Sequence, residues 1–155
     1  MTNSDILESC LIFFDEIGLA TEHVEDISDC VVPGLSIKDG VLQICEDSLL
    51  YPGDLLHEAG HIAVVPKCDR ATLNNETIGE REYSEAEEMM AIAWSYAAAL
   101  HLKLDPTTVF HDDGYKGGGS WIAEAFASGG NIGVPTLMWA GMTDQFPKMT
   151  HWMRS

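Results

Sequence analysis

Apolar residues recur with helical spacing at the start of the chain: Ile6, Leu7, Cys10, Leu11, Phe13, Phe14 and Ile17. A stripe of that period predicts an amphipathic helix over about residues 4–18. Ser4 or Asp5 is placed to cap its start, and Gly18 suits its end. Residues 20–30 are acidic and carry no period, so they read as a connector. The segment from Leu35 to Ile44 instead alternates in two short runs around Asp39-Gly40. Period two, broken by a glycine that tolerates positive φ, predicts a β-hairpin. Tyr51-Pro52-Gly53 then breaks the chain. Asp54 is a candidate N-cap for a helix to about Val65, which Pro66 cannot continue. Residues 67–80 read as a polar loop.

From about Ser84 to Leu102 the pattern predicts the longest helix. Its first turn holds Glu85, Glu87 and Glu88, where the helix dipole favours negative charge. From Met89 to Leu100 it is almost wholly apolar, and a helix apolar on every side is buried on every side. Asp105-Pro106 ends it, and His111 to Gly119 is a glycine-rich loop. Ser120 is a candidate cap for a helix from Trp121 to Ala127, and a short helical turn follows over Val134 to Trp139. Trp121, Trp139 and Trp152, with Met138 and Met142, read as core. Trp152 alternatively belongs to an exposed tail or an oligomer contact. Helices interleaved with one hairpin give an α+β, mostly helical fold, and 155 residues suit one domain spanning 1–155.

Charge narrows the partners. Eight Lys and Arg stand against 25 Asp and Glu, a formal net of −17. Residues 1–88 hold 20 acids and four bases, a net of −16, so the acidic surface belongs to the first half. Such a field repels phosphate backbones and anionic lipid heads, which disfavours nucleic acid and membrane surfaces and steers basic or neutral substrates. No apolar run reaches the length of a membrane span. The N-terminus lacks a basic leader, and the four cysteines (Cys10, Cys30, Cys45 and Cys68) form no Cys-x-x-Cys pair. The expectation is a cytoplasmic chain with free, buried thiols.

The chemistry concentrates at His57-Glu58-Ala59-Gly60-His61. Residues four apart on a helix share one face, so the two imidazoles can converge on one Zn2+ ion. Glu58 follows the first ligand and is placed to take a proton from a water that zinc has acidified. A catalytic zinc needs a third protein ligand and an open position. The metzincin extension would put Gly at 64 and His at 67, where Val64 and Lys67 stand. The acidic turn of the long helix offers Glu88, with Glu87 and Glu85 as alternatives. Glu88-Met89-Met90-Ala91 fits a Glu-x-x-Ala pattern, whose small residue allows two helices to pack closely.

A hairpin, a helix with His57-Glu58-x-x-His61 and a later helix offering Glu88 together resemble the gluzincin metallopeptidases. The small ImmA/IrrE-type metallopeptidases are a comparable minimal case. The resemblance covers about residues 35–100. It implies a zincin-like fold with the small sheet over the motif helix, zinc held by two histidines and a glutamate, and Glu58 as general base. It also implies an edge strand within 35–45 along which a peptide lies extended.

The function expected is therefore a zinc-dependent hydrolase of metallopeptidase type, acting on a peptide or small-molecule substrate. His111, Tyr115 and His101 are candidate oxyanion stabilisers, and Asp112 and Asp113 could orient a ligand imidazole. His23 and His151 read as surface. Two other classes compete: a regulatory zincin scaffold with a closed metal site, and an acidic interaction protein without metal. Lys116-Gly117-Gly118-Gly119-Ser120 lacks the spacing of a phosphate-binding loop, and Gly129 to Gly133 follows no strand, so nucleotide binding is not indicated.

Overall fold

Thr2, two residues ahead of the nearer expected cap, starts the first helix. Its hydroxyl accepts from the Asp5 amide (3.1 Å) while the Asp5 carboxylate accepts from the Thr2 amide (2.9 Å), a reciprocal capping box. The computed structural model describes residues 1–27, 32–113 and 119–155. Among them the helices are α1 (Asn3–Ile17), α2 (Asp54–Ala63), α3 (Lys67–Arg70), α4 (Ser84–His101), α5 (Gly119–Ala127) and α6 (Val134–Trp139). The strands are β1 (Thr21–His23), β2 (Leu35–Lys38), β3 (Val41–Ile44), β4 (Thr143–Gln145) and β5 (Lys148–Met149). The fold is α+β. One hydrophobic cluster runs through it, from Ile6 and Phe13 of α1 through Leu42, Leu56 and Trp94 to Met142.

The hairpin forms where alternation places it. β2 and β3 pair antiparallel, with Leu35 opposite Ile44 and Lys38 opposite Val41. Asp39 and Gly40 both take positive φ at the turn. β3 is central, because β1 pairs parallel to its other side. Residues 21–23, expected as part of a connector, are thus a strand. All three are exposed, so no apolar alternation marks them. The sheet packs against α2 through β2 and β3.

The outer edge of β2 is occupied. The Ile37 amide donates to Asn75 Oδ1 (3.1 Å) and the Ile37 carbonyl accepts from the Asn75 amide (3.0 Å). The Asp39 amide donates to Asn74 Oδ1 (3.1 Å), and the Gly40 amide to the Leu73 carbonyl (2.9 Å). The polar loop at 67–80 therefore covers the edge, and it contains α3 and a 3-10 turn over Ile78–Glu80. This corrects the expectation that a strand within 35–45 offers its backbone to a peptide. β3 is flanked on both sides, and the outward groups of β2 at 37 and 39 are already bonded.

Gly53, not Asp54, caps α2. A Cβ there would collide with the Thr108 carbonyl. Gly53→Ala is therefore expected to destabilise the fold by about 1–3 kcal/mol, as overpacking against backbone does, read as a lower urea midpoint at unchanged slope. At the other end, two arginines satisfy the carbonyls that a helix terminus leaves open. Arg70 donates from Nε to the Ile62 carbonyl (3.2 Å) and from Nη2 to that of Val65 (3.1 Å). Arg154 donates its amide to the Ala63 carbonyl (2.9 Å) and its Nη1 to that of Val64 (3.1 Å). Both positive charges sit where the helix dipole is negative.

α4 is buried over most of its length, as its composition requires, and crosses α2 closely. A Cβ on Gly60 would stand 3.0 Å from the Ala91 carbonyl oxygen and 3.3 Å from the Ala91 Cβ. The small residues of both helices meet there.

Four sequence expectations fail on exposure. Trp121 and Trp139 are 66% and 77% exposed, and Met138 is exposed beside them, whereas Met142 is buried. α5 and α6 are short and each buries one face, Ala123 and Phe126 in one and Val134 and Leu137 in the other. Trp139 instead lies beneath the Arg154 guanidinium, 5.4 Å from its ring centre. Trp152 packs edge-on to Phe13 and Trp94. Cys10 and Cys45 are free and buried, but Cys68 is exposed, and Cys30 lies outside the described residues. Ser120 lies inside α5 rather than capping it. No helix among the described residues is long and apolar enough to cross a membrane.

Candidate metal centre

The crossing of α2 and α4 brings three side chains together. His57 and His61, a helical turn apart, turn their Nε2 atoms to within 3.2 Å of each other. Glu88, three residues before Ala91 at the crossing, reaches both. Its Oε1 lies 3.4 Å from His57 Nε2 and its Oε2 lies 2.9 Å from His61 Nε2. Zinc bonds of about 2.0–2.1 Å at tetrahedral angles put neighbouring ligand atoms about 3.3–3.4 Å apart. The 3.2 Å between the two nitrogens lies close to that value, and each nitrogen has its own carboxylate oxygen beside it. One nitrogen from each histidine and one carboxylate oxygen lie within 4.8 Å of one another, a group that could hold a metal ion.

Electrostatics at the site are uneven. Burial, aided by the neighbouring charge of His61 and opposed by Glu88, pushes His57 down to about 4. It is therefore a neutral imidazole at neutral pH, as a metal ligand must be. Burial acts on His61 in the same direction. The hydrogen bond to Glu88 and the charges of Glu58, Glu88 and Glu87 outweigh it, so His61 titrates above its ordinary value. Burial would raise Glu88, but its hydrogen bond from His61 and the two imidazole charges bring it below the usual carboxylate range. His61 and Glu88 thus form a close pair, 2.9 Å apart, beside His57.

Glu58 lies in the same turn of α2. Burial raises its carboxyl, the charges of Glu88 and Asp54 raise it further, and His61 opposes them. A carboxylate held up in this way is a stronger base than one in water.

The alternatives to Glu88 are engaged elsewhere or exposed. Glu87, only 6% exposed, accepts from Arg81 through both oxygens, Oε1 from Nε at 2.8 Å and Oε2 from Nη2 at 3.1 Å. Arg81 Nη2 also reaches Asp69 at 3.2 Å. Glu85 is exposed on the outer side of the turn.

A second cluster stands at the start of α2. Asp54, buried, shares a 2.6 Å hydrogen bond with His111 Nε2. The His111 ring stacks on Tyr51, 4.1 Å between centres, and the Tyr51 hydroxyl donates to Asp113. Asp54 precedes Glu58 by four residues, so the two share a helix face. Asp54 read as a helix cap in the sequence. Its spacing to Glu58 was the available sign of another role. The Arg81–Glu87 clamp left no sign in the sequence, since it joins residues across a loop.

The remaining candidates fall away from this three-residue cluster. His101 lies thirteen residues beyond Glu88 on α4, about 20 Å along the axis at 1.5 Å per residue. Its ring packs on Phe13 and Trp152, each 5.3 Å away. It therefore does not serve as an oxyanion donor. Asp112 accepts from the Ser120 amide (3.4 Å), and Asp113 is taken by Tyr51, so their bonds lead away from the ligand imidazoles. Tyr115 lies outside the described residues. His23 is exposed, 3.6 Å from Glu46, and His151 is exposed. Comparison of the chain with family models, with curated proteins and with solved structures gave no match, so the reading of this site rests on its own geometry.

Proposed function

We propose that the chain is a zinc-dependent hydrolase of metallopeptidase type, in which His57, His61 and Glu88 hold the ion and Glu58 is the general base. The observation that carries this reading is the convergence of three ligand atoms of two imidazoles and a carboxylate within 4.8 Å. The donor set suits zinc, which takes neutral imidazole and carboxylate oxygen together. Among the described residues the cluster has three members, which leaves the fourth position of a tetrahedral ion to water or substrate. A closed, non-catalytic site would need a fourth side chain there.

When bound, zinc supplies Lewis-acid polarisation of a carbonyl and an acidified water. The chain's own residues do the rest. Glu58 takes the proton of the attacking water and hands it to the departing amine, a transfer that its raised basicity favours. Asp54 fixes the His111 ring through the 2.6 Å hydrogen bond at the start of α2. Arg81 pins Glu87 and with it the first turn of α4, so Glu88 is presented from a fixed backbone.

The decisive experiment is elemental analysis of purified protein beside turnover of a peptide library with and without chelator. One zinc per chain and chelator-sensitive cleavage are expected. A stoichiometric ion without any cleavage would favour the regulatory scaffold, and no ion at all would favour an acidic interaction protein. Zinc binding is also expected to depend on pH. The proton held by His61 and Glu88 must leave when the ion enters. Above the raised pKa of His61 the affinity is flat. Below it the dissociation constant rises about tenfold per pH unit, measured by competition titration between pH 5 and 8.

A further inference from the structure

Arg154 is a guanidinium without an acid. The chain has a formal net charge of −17, yet no carboxylate among the described residues pairs with this side chain. Its Nη1 donates to the Val64 carbonyl (3.1 Å), and its Cζ lies over the Trp139 ring, 5.4 Å from the centre. Those two contacts hold the group in place and leave Nε and Nη2 without a partner among the described residues. The side chain lines a cavity of about 400 Å³. That size falls in the range of small-molecule sites. Tyr83, Ala86 and Met90, on one face at the start of α4, form one wall, and Trp139 of α6 stands on another. His57, His61 and Glu88 do not line it, so the cavity is separate from the candidate metal centre.

Most other charges on the cavity wall are already paired. Arg81 donates to Glu87 through Nε and Nη2 and to Asp69 through Nη2, which satisfies both of those carboxylates. Glu82 is exposed to water. Arg154 is left as the open charge, and beside it stand two rings that the fold does not cover, Tyr83 at 67% and Trp139 at 77% exposure. We propose that this cavity binds a small carboxylic acid carrying an apolar body about the size of one ring. The carboxylate accepts from Nε and Nη2 of Arg154, the side-by-side geometry that suits a guanidinium. The body leaves water against Tyr83, Met90 and Trp139. Because Trp139 and the Val64 carbonyl already fix the guanidinium, little side-chain freedom is lost on binding. The acidic surface of the chain opposes an anion only from afar, screened over about 8 Å at physiological ionic strength, whereas the contact with Arg154 is direct.

The test titrates the full chain by calorimetry and measures neither metal nor turnover, so its result stands apart from the metal reading. The probes are 3-phenylpropionate, its neutral amide, the ammonium analogue 3-phenylpropylamine, and propionate, which lacks the ring. The aromatic acid is expected to bind about tenfold or more tightly than each of the other three, because only it offers both a bidentate acceptor and a ring. It is also expected to shift the indole N–H resonance of Trp139, assigned through Trp139→Phe. Arg154→Lys keeps the charge and loses the planar fork, and is expected to weaken the acid about tenfold. Since Arg154 also serves the end of α2, its urea midpoint is measured alongside. Trp139→Ala removes an exposed ring, is expected to keep the parent midpoint, and weakens the acid about fivefold. Failure of the acid to bind, an amide that binds as well, a still Trp139 resonance, or unchanged affinity in either variant would each overturn the proposal. Tighter binding of the ammonium would overturn it too, and would give the cavity to an organic cation held by Glu82 and the ring faces.

Discussion

Glu58→Gln is expected to lower chelator-sensitive turnover by about 10²–10⁴-fold while the protein keeps its full complement of zinc. The amide fills the same space and cannot accept a proton, so the change removes the base and nothing else. The proposed ligands His57, His61 and Glu88 are untouched. Stability is expected to hold or rise slightly, because the residue replaced is a half-buried carboxyl whose charged form is disfavoured by desolvation and by the charges of Glu88 and Asp54. A neutral group there relieves that repulsion. The measurement is kcat beside metal content and a denaturant midpoint on the same preparation. Unchanged kcat would remove Glu58 from the mechanism, and lost zinc would make it a ligand instead.

Trp94→Ala is expected to cost about 3–5 kcal/mol, the range for emptying a large aromatic site in a core. Trp94 is wholly buried at the middle of α4. It packs on Phe13 at 6.0 Å and edge-on against Trp152 at 5.6 Å, and its indole N–H donates to the Trp152 carbonyl at 2.8 Å. Truncation therefore opens a cavity and strands a carbonyl. The same helix carries Glu88, so zinc affinity is expected to weaken along with the urea midpoint. A loss below about 1 kcal/mol would mean that the three-ring stack contributes little to holding α4.

Much of this arrangement was legible in the chain. α1, the hairpin, α2 and α4 follow from periodicity because each buries one face or all of its surface. The two histidines follow from helix geometry alone. What escaped lies where side chains, not periods, decide. β1 is an exposed edge whose residues bear no mark of pairing. Asn74 and Asn75 replace a missing strand with amide side chains, so the loop that carries them gives no alternation to read. The choice among Glu85, Glu87 and Glu88 turned on where Arg81 stands. Trp121 and Trp139 misled because large aromatic rings suggest a core, whereas short helices have an outside as well as an inside.

The arginine pair that closes the C-terminal end of α2 has a bearing on the order of events during synthesis. Arg70 leaves the ribosome soon after the helix it serves, but Arg154 follows some ninety residues later. Arg70 Nη2 in turn donates to the carbonyl of Arg154 at 2.6 Å, so the two work as a unit. Until residues 152–154 emerge, the helix that carries His57 and His61 keeps open carbonyls at one end and Trp94 lacks its acceptor. The nascent chain can collapse around its first hairpin, yet the C-terminal end of α2 gains its second arginine only once residue 154 has been added.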